Sequence, residues 1–454
     1  MIFLKKRIFG ATFYPMKRFL FIFCLLLRVT ALTSAELRIL CTADLHGELA
    51  RFSALLPAMR RAAAGGDTLL IDLGDLSQGN FDVANAGFPV MTEALNRAGY
   101  ELRVPGNHDF ETDVPEFAAE VAAFRGTTLG ADWSYGGISG TPWKLVERGG
   151  IRCAVIGLTD PKMQFRTAPD RQGRFTDPFT ALTQTMREVR RANPDVVVLA
   201  RHAGLQGFGG PLAKVLGEFP EIRIVLGAHT HEEHPGEEIA GAWYLQPGAR
   251  ASSAAMVTVT VDDRSRRVVN ITSELIRPDP LAPDPELRKL SEEIHRRTLT
   301  LRRRHFPTNE KRYWQEILSE TLRTAAGADA ALSTCGTKAT SLPAPRTEAE
   351  LFGRQPYHDG ILCFRLSGQE YRELCRAERK RLRKYSSLLV VAGIAPERAS
   401  AEITVAVSEY FATTSPMLSG IMRRDASRWR RVPGTVRDRC REFLLNGARE
   451  HRPR

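Results

Sequence analysis

The sequence predicts an α/β protein built as two units, and three observations carry that prediction. Strand-like apolar runs alternate with helix-like segments across residues 36–275, the pattern of a layered α/β domain. A proline-rich stretch, Pro278-Asp279-Pro280-Leu281-Ala282-Pro283-Asp284-Pro285, then breaks regular structure, and a second alternation runs over 310–424. At 454 residues the chain is too long for one typical domain. With 43% hydrophobic and 26% charged residues, its composition is that of an ordinary globular protein.

From the N-terminus, residues 1–35 read as a secretory signal, with Met16 as an alternative start. Met16-Lys17-Arg18 supplies a short positive region, Phe19–Leu27 an apolar run of nine, and Thr33-Ser34-Ala35 a small-residue cleavage site. A run of nine ended by Arg28 cannot span about 30 Å of hydrocarbon, so no permanent membrane anchor is expected. The mature chain would be periplasmic or secreted. Six cysteines then remain, too few for a disulfide scaffold; Cys41 and Cys153 sit in apolar runs and read as small buried side chains.

The strands of the first unit are Leu37–Thr42, Thr68–Asp72, Leu102–Val104, Val196–Ala200 and Ile222–Leu226. A second sheet is expected from Cys153–Gly157, Tyr244–Gln246 and Ala255–Val261. Helices are expected at Arg51–Ala64, where Phe52, Leu55, Leu56 and Met59 keep helical spacing, and at Pro178–Asn193. Residues 276–309 read as a linker carrying the charged helix Glu286–Leu301. In the second unit Trp314, Ile317, Leu318 and Leu322 give a helical face, and Ile361–Leu366 and Ile403–Val407 read as strands. Ser367-x-x-Glu370 is a capping box opening a helix. Residues 425–454 read as a basic tail.

Five short motifs fall where strand runs of the first unit end: Asp44-x-His46, Gly74-Asp75, Gly106-Asn107-His108-Asp109, His202 and Gly227-Ala228-His229-Thr230-His231. An open α/β sheet builds its ligand site from loops at the carboxyl ends of strands. Half of the ten histidines lie in these motifs, which core packing does not explain. Two divalent cations about 3.5–4 Å apart can clamp both oxygens of an in-line phosphoryl displacement, and a carboxylate can be shared between them. Asp75 is the candidate bridge. Mixed imidazole, carboxylate and amide-oxygen ligands suit Mn, Zn, Fe or similar ions. His234, His295, His305, His358 and His451 read as ordinary surface or packing residues.

In order and spacing these motifs resemble the calcineurin-like metallophosphoesterase superfamily, and Gly106-Asn107-His108-Asp109-Phe110-Glu111 is similar to its 5'-nucleotidase and 2',3'-cyclic phosphodiesterase branch. The resemblance implies a four-layer sandwich for residues 36–275. It also implies that Asp44, His46 and His231 hold one metal, Asn107, His202 and His229 a second, and that Asp75 bridges them. His108 would stabilise the transferring phosphoryl group or protonate the leaving oxygen, oriented by Glu111, where the family usually has aspartate, or by Asp109. Residues 310–424 resemble a divergent 5'-nucleotidase C-terminal domain in Ala328-Asp329-Ala330-Ala331-Leu332 and Leu366-Ser367-Gly368-Gln369-Glu370. The family's ligand segments there fall near Ser333–Lys338 and Thr413–Pro416 and are altered. Lys338 is a partial arginine substitute; Phe352, Tyr357, Tyr410 and Phe411 are available for stacking or for core packing.

The function expected is hydrolysis of phosphate monoesters or cyclic esters, with nucleotides first, by catalytic residues lying wholly in the first unit. Two rivals stand beside it: hydrolysis of another ester by the same fold, and a metal-binding recognition protein without nucleotidase activity. The net charge of +12, half of it in residues 1–35, reads as a solvated basic face that steers anionic esters. Regular aromatic interleaving is missing, so a small-molecule ester rather than a nucleic-acid polymer is the expected partner.

Overall fold

A computed structural model describes residues 34–446, apart from 88, 161, 164–167, 172, 207–210, 308–311 and 337–341. The expected signal up to Thr33, and Lys338, lie outside the described residues. Two six-stranded sheets stack face to face in the first unit. One runs, between hydrogen-bonded neighbours, Val268–Ile276, Ala254–Asp262, Ser34–Thr42, Thr68–Asp72, Leu102–Arg103 and Thr127–Thr128. Its last four strands are parallel, as crossover helices require. The other sheet runs His234–Ile239, Ala242–Gln246, Ile222–Leu226, Val196–Arg201, Ile151–Leu158 and Trp143–Arg148.

Alternate residues of the two sheets close one apolar core between them, with Ile39, Cys41 and Ile71 facing Cys153, Val155, Val198 and Ile224. Helix Leu49–Ala63 buries Phe52, Leu55, Leu56 and Met59 on the outer side of the first sheet. Helix Pro178–Ala192 covers the second with Leu182, Met186 and Val189. Helix, sheet, sheet, helix: the four layers are those the resemblance implied. All six cysteines of the described residues are free thiols.

Helix Pro285–Arg302, expected as a linker helix, packs onto the first unit through Leu287 and Ile294. Asp284 caps it and receives Arg60 at 2.6 Å, while Asp82 takes Thr298 and Arg302. The second unit is a five-stranded mixed sheet ordered Ser387–Gly393, Ala330–Gly336, Ile403–Ser408, Gly360–Leu366 and Trp429–Thr435. The capping box at Ser367 and Glu370 forms as read.

The basic tail needs correcting. Trp429–Thr435 pairs antiparallel with Gly360–Leu366, and helix Val436–Asn446 buries Val436, Cys440 and Leu444 in the core of the second unit. Its arginines are spent on specific bonds, Arg430 to the Ala326 carbonyl and Arg441 to Glu348, so charge there does not mean a solvated tail. Among the described residues no helix is long and apolar enough to cross a membrane.

Candidate active site

The motif residues converge where the parallel strands of both sheets end. Two glycines permit the approach. A Cβ on Gly74 (φ +92°) would lie 2.2 Å from the Gly106 nitrogen, and one on Gly106 would lie 2.3 Å from Asp75 Oδ1. Asp44, His46, Asp75, His229 and His231 all adopt positive φ, between 47° and 76°. Such backbone costs of order 1–3 kcal/mol per non-glycine residue and persists where its surroundings impose it. Five strained residues in one cleft are all candidate ligands.

Asp44, His46 and His231 form one group and Asp75, His202 and His229 another, with the ligating atoms of each within 4.8 Å of one another. His46 Nε2 lies 3.1 Å from His231 Nε2, and His231 Nε2 lies 3.4 Å from Asp44 Oδ1. Asp75 Oδ2 faces both groups, 3.2 Å from His202 Nε2 of its own and 4.0 Å from His46 Nε2 of the other. The other oxygen, Oδ1, accepts the His108 backbone N–H at 2.8 Å. Carbonyl oxygens fix two tautomers: His46 Nδ1 donates to Gln78 O at 2.8 Å and His202 Nδ1 to Leu73 O at 2.6 Å. Each Nε2 is thereby turned toward the cleft, the nitrogen available to a metal ion.

The electrostatics ask for cations. Burial opposes charge on Asp75, yet His202, His108 and His46 hold its carboxyl well below the ordinary range. Burial likewise opposes charge on His202, but Asp75 and Asp44 push it up to about 10. Asp44 Oδ1 and Asn107 Oδ1 are buried and accept no hydrogen bond. Orphaned oxygens of that kind, beside imidazole nitrogens that become ligands once a cation displaces their protons, fit divalent metal ions.

His108 stands beside this cluster. A 3-10 turn over His108–Glu111 brings residues three apart onto one side, so His108 Nδ1 meets Glu111 Oε1 at 2.7 Å. The longer acid reaches. Burial works against the His108 cation, but Glu111 and then Asp75 raise its pKa to about 9. Asp109 does not serve as the alternative partner. Its carboxylate accepts the backbone N–H groups of Asp75, Leu76 and Gly106 at 3.0, 3.2 and 2.7 Å, tying two site loops together, and burial pushes its pKa to about 7.

A cavity of about 610 Å³ opens from Asn107, His108 and His229 toward the second unit, lined there by Ser333, Arg354, Tyr357, Asp359 and Tyr410. Of the four candidate aromatics, Tyr357 stacks on His108 with ring centroids 3.9 Å apart, and Tyr410 is 60% exposed on the cavity wall. Phe352 and Phe411 are core residues. The candidate catalytic residues His108, Glu111 and Asp109 all come from the first unit, but the cavity beside them is lined by both units. His358 lines the cavity, and its backbone N–H donates to Gln78 Oε1 at 3.2 Å. Gln78 Nε2 donates in turn to the His108 carbonyl at 2.7 Å. Gln78 was missed in the sequence; its place three residues after Asp75 was the available signal. Arg171 was missed too. It joins Glu409 of the second unit to the Glu111 carbonyl.

Beside this cleft of candidate metal ligands on a four-layer sandwich stands a likeness in sequence: residues 37–233 match the calcineurin-like phosphoesterase family. Among curated proteins the chain is 27% identical over 212 residues to Protein UshA of Yersinia enterocolitica, covering 41% of this chain and 37% of that one. It is 24% identical over 218 residues to the 5'-nucleotidase of Bos taurus, covering 44% and 36% respectively. The chain thus spans little more than a third of the length of these relatives. Its fold superposes on a 5'-nucleotidase precursor from Thermus thermophilus with a TM-score of 0.66 at 16% identity, over 90% of this chain and 96% of that one.

Proposed function

We propose that this protein is a two-metal phosphoric ester hydrolase acting on phosphate monoesters or cyclic phosphodiesters, with nucleotides as the foremost substrate class. One observation carries the reading: Asp75 Oδ2, in the ligand group with His202 and His229, also lies 4.0 Å from His46 Nε2 of the other group, with an oriented histidine alongside. Asp44, His46 and His231 would hold one ion; Asn107, His202 and His229 the other; Asp75 would be shared. Bound divalent ions supply charge neutralisation at phosphoryl oxygens and a lowered pKa for water. His108, held by Glu111, is placed to donate a proton to the leaving oxygen. Tyr410 and the cavity wall offer a surface for the leaving group, and the likeness to 5'-nucleotidases supports a nucleoside there. We further propose export, with cleavage after Ala35; that would remove two register pairs of the first strand and leave Glu36 to Cys41 paired.

Purified protein stripped of metal and reloaded with Mn, Zn or Fe should hydrolyse an aryl phosphate, AMP and 2',3'-cyclic AMP at measurable rates. Metal-dependent turnover of none of them, with intact fold, would leave the binding-protein reading.

A further inference from the structure

Catalysis by His108 requires its imidazole to be held in one orientation, and Glu111 constrains only the ring edge at Nδ1. The ring face is covered from the other unit. Tyr357 lies at 13° to the His108 plane with centroids 3.9 Å apart, while His46 meets His108 edge-on at 5.6 Å. Tyr357 is itself anchored on both sides. Arg437 donates to the carbonyls of Gln355 and Pro356 at 3.0 and 3.1 Å, and His358 N–H holds Gln78, which holds the His108 carbonyl. A ring so fixed limits rotation of its neighbour about the Cβ–Cγ bond.

We propose that Tyr357 is a positioning residue for His108, supplied by the second unit, so that docking of that unit completes the acid of the first. This rests on the phosphoesterase reading above. The stacked ring carries the effect, by contact across its face; the hydroxyl does not. A second unit that only bound the substrate's leaving group would act on KM, and chiefly for large esters. A clamp on His108 acts on kcat for every ester, including small aryl phosphates.

The test uses the full chain with Tyr357→Phe and Tyr357→Leu. In metal-free protein, the His108 ring-proton resonance, assigned by its loss in His108→Gln, should show upfield ring-current shielding. That shielding should persist in Tyr357→Phe and vanish in Tyr357→Leu. With metal and an aryl phosphate, Tyr357→Phe should keep kcat within about twofold, and Tyr357→Leu should lose about tenfold or more with KM nearly unchanged, in line with the cost of misplacing a reacting group. Unshifted His108 resonances in Tyr357→Leu, an unchanged kcat in that variant, or an equal loss in Tyr357→Phe would each overturn the inference. No turnover by the wild type with any ion would instead fail the phosphoesterase reading.

Discussion

His108, Asp109 and Glu111 show what single residues reveal and conceal. That a histidine in Gly106-Asn107-His108-Asp109 lies beside the candidate metal ligands was legible from its company. Which acid orients it was not, because the answer depends on a 3-10 turn that pairs positions three apart and rotates Asp109 onto backbone amides. The left-handed backbone at Asp44, His46, Asp75, His229 and His231 was equally hidden, since nothing in those residue types demands positive φ. The metal candidates themselves were legible because imidazole and carboxylate groups recurring at strand ends have few structural explanations. His108 sits outside both ligand groups, so His108→Ala should retain metal content while losing about 10²–10⁴ in kcat, the usual contribution of a positioned acid. Elemental analysis and steady-state rates on one preparation check this; a variant without metal would make His108 a ligand.

At the level of elements, Ala255–Val261, expected in the second sheet, pairs antiparallel with Ala35–Cys41 in the first, a choice of partner that its apolar pattern does not carry. The central strands of the first unit were readable because they are buried on both faces and present uninterrupted apolar runs. The edge strand Trp429–Thr435 and helix Val436–Asn446 escaped for the opposite reason. Arginines occupy the outward positions and mask an apolar stripe at Val436, Cys440 and Leu444, although Thr435 and Asp438 form a helix-starting pair that could have been recognised. Val432, Val436, Cys440 and Leu444 are at most 3% exposed. Removing four such side chains, at about 1.5–3 kcal/mol for a large aliphatic one, approaches the whole stability of a domain. Truncation after Asp425 should therefore abolish cooperative thermal unfolding of the second unit, seen by calorimetry. An unchanged transition would restore the basic-tail reading.

Over the whole molecule, the two units are joined at the site as well as by the chain. Glu409 is gripped by Arg171 from the first unit and Arg431 from its own, and Arg431 returns to Asp170 at 2.6 Å. Burial opposes charge on Glu409, but Arg171 and Arg431 hold its pKa near 2 against an ordinary 4.5. A depressed carboxylate pKa stabilises fully above the unfolded value and is lost as pH falls toward the folded one. The melting-temperature advantage of the wild type over Glu409→Gln should thus be constant above about pH 5 and shrink between 4.5 and 2; an advantage independent of pH would mean that the contact is not ionic. Division into two units was legible from the proline-rich break, but their contact was not, because Tyr357, His358 and Arg171 come from segments without a motif. Export belongs to this scale too: mass spectrometry of the native protein should find Glu36 at the N-terminus, and retained residues 16–35 would refute cleavage there.

Whether one carboxylate is shared between two ions is read out by metal stoichiometry and turnover, measured together on wild type and Asp75→Asn. The wild-type chain should bind two divalent ions, and Asp75→Asn should hold both more weakly and lose phosphoester hydrolysis. Two ions retained at unchanged affinity in the variant, with unchanged turnover, would contradict the sharing.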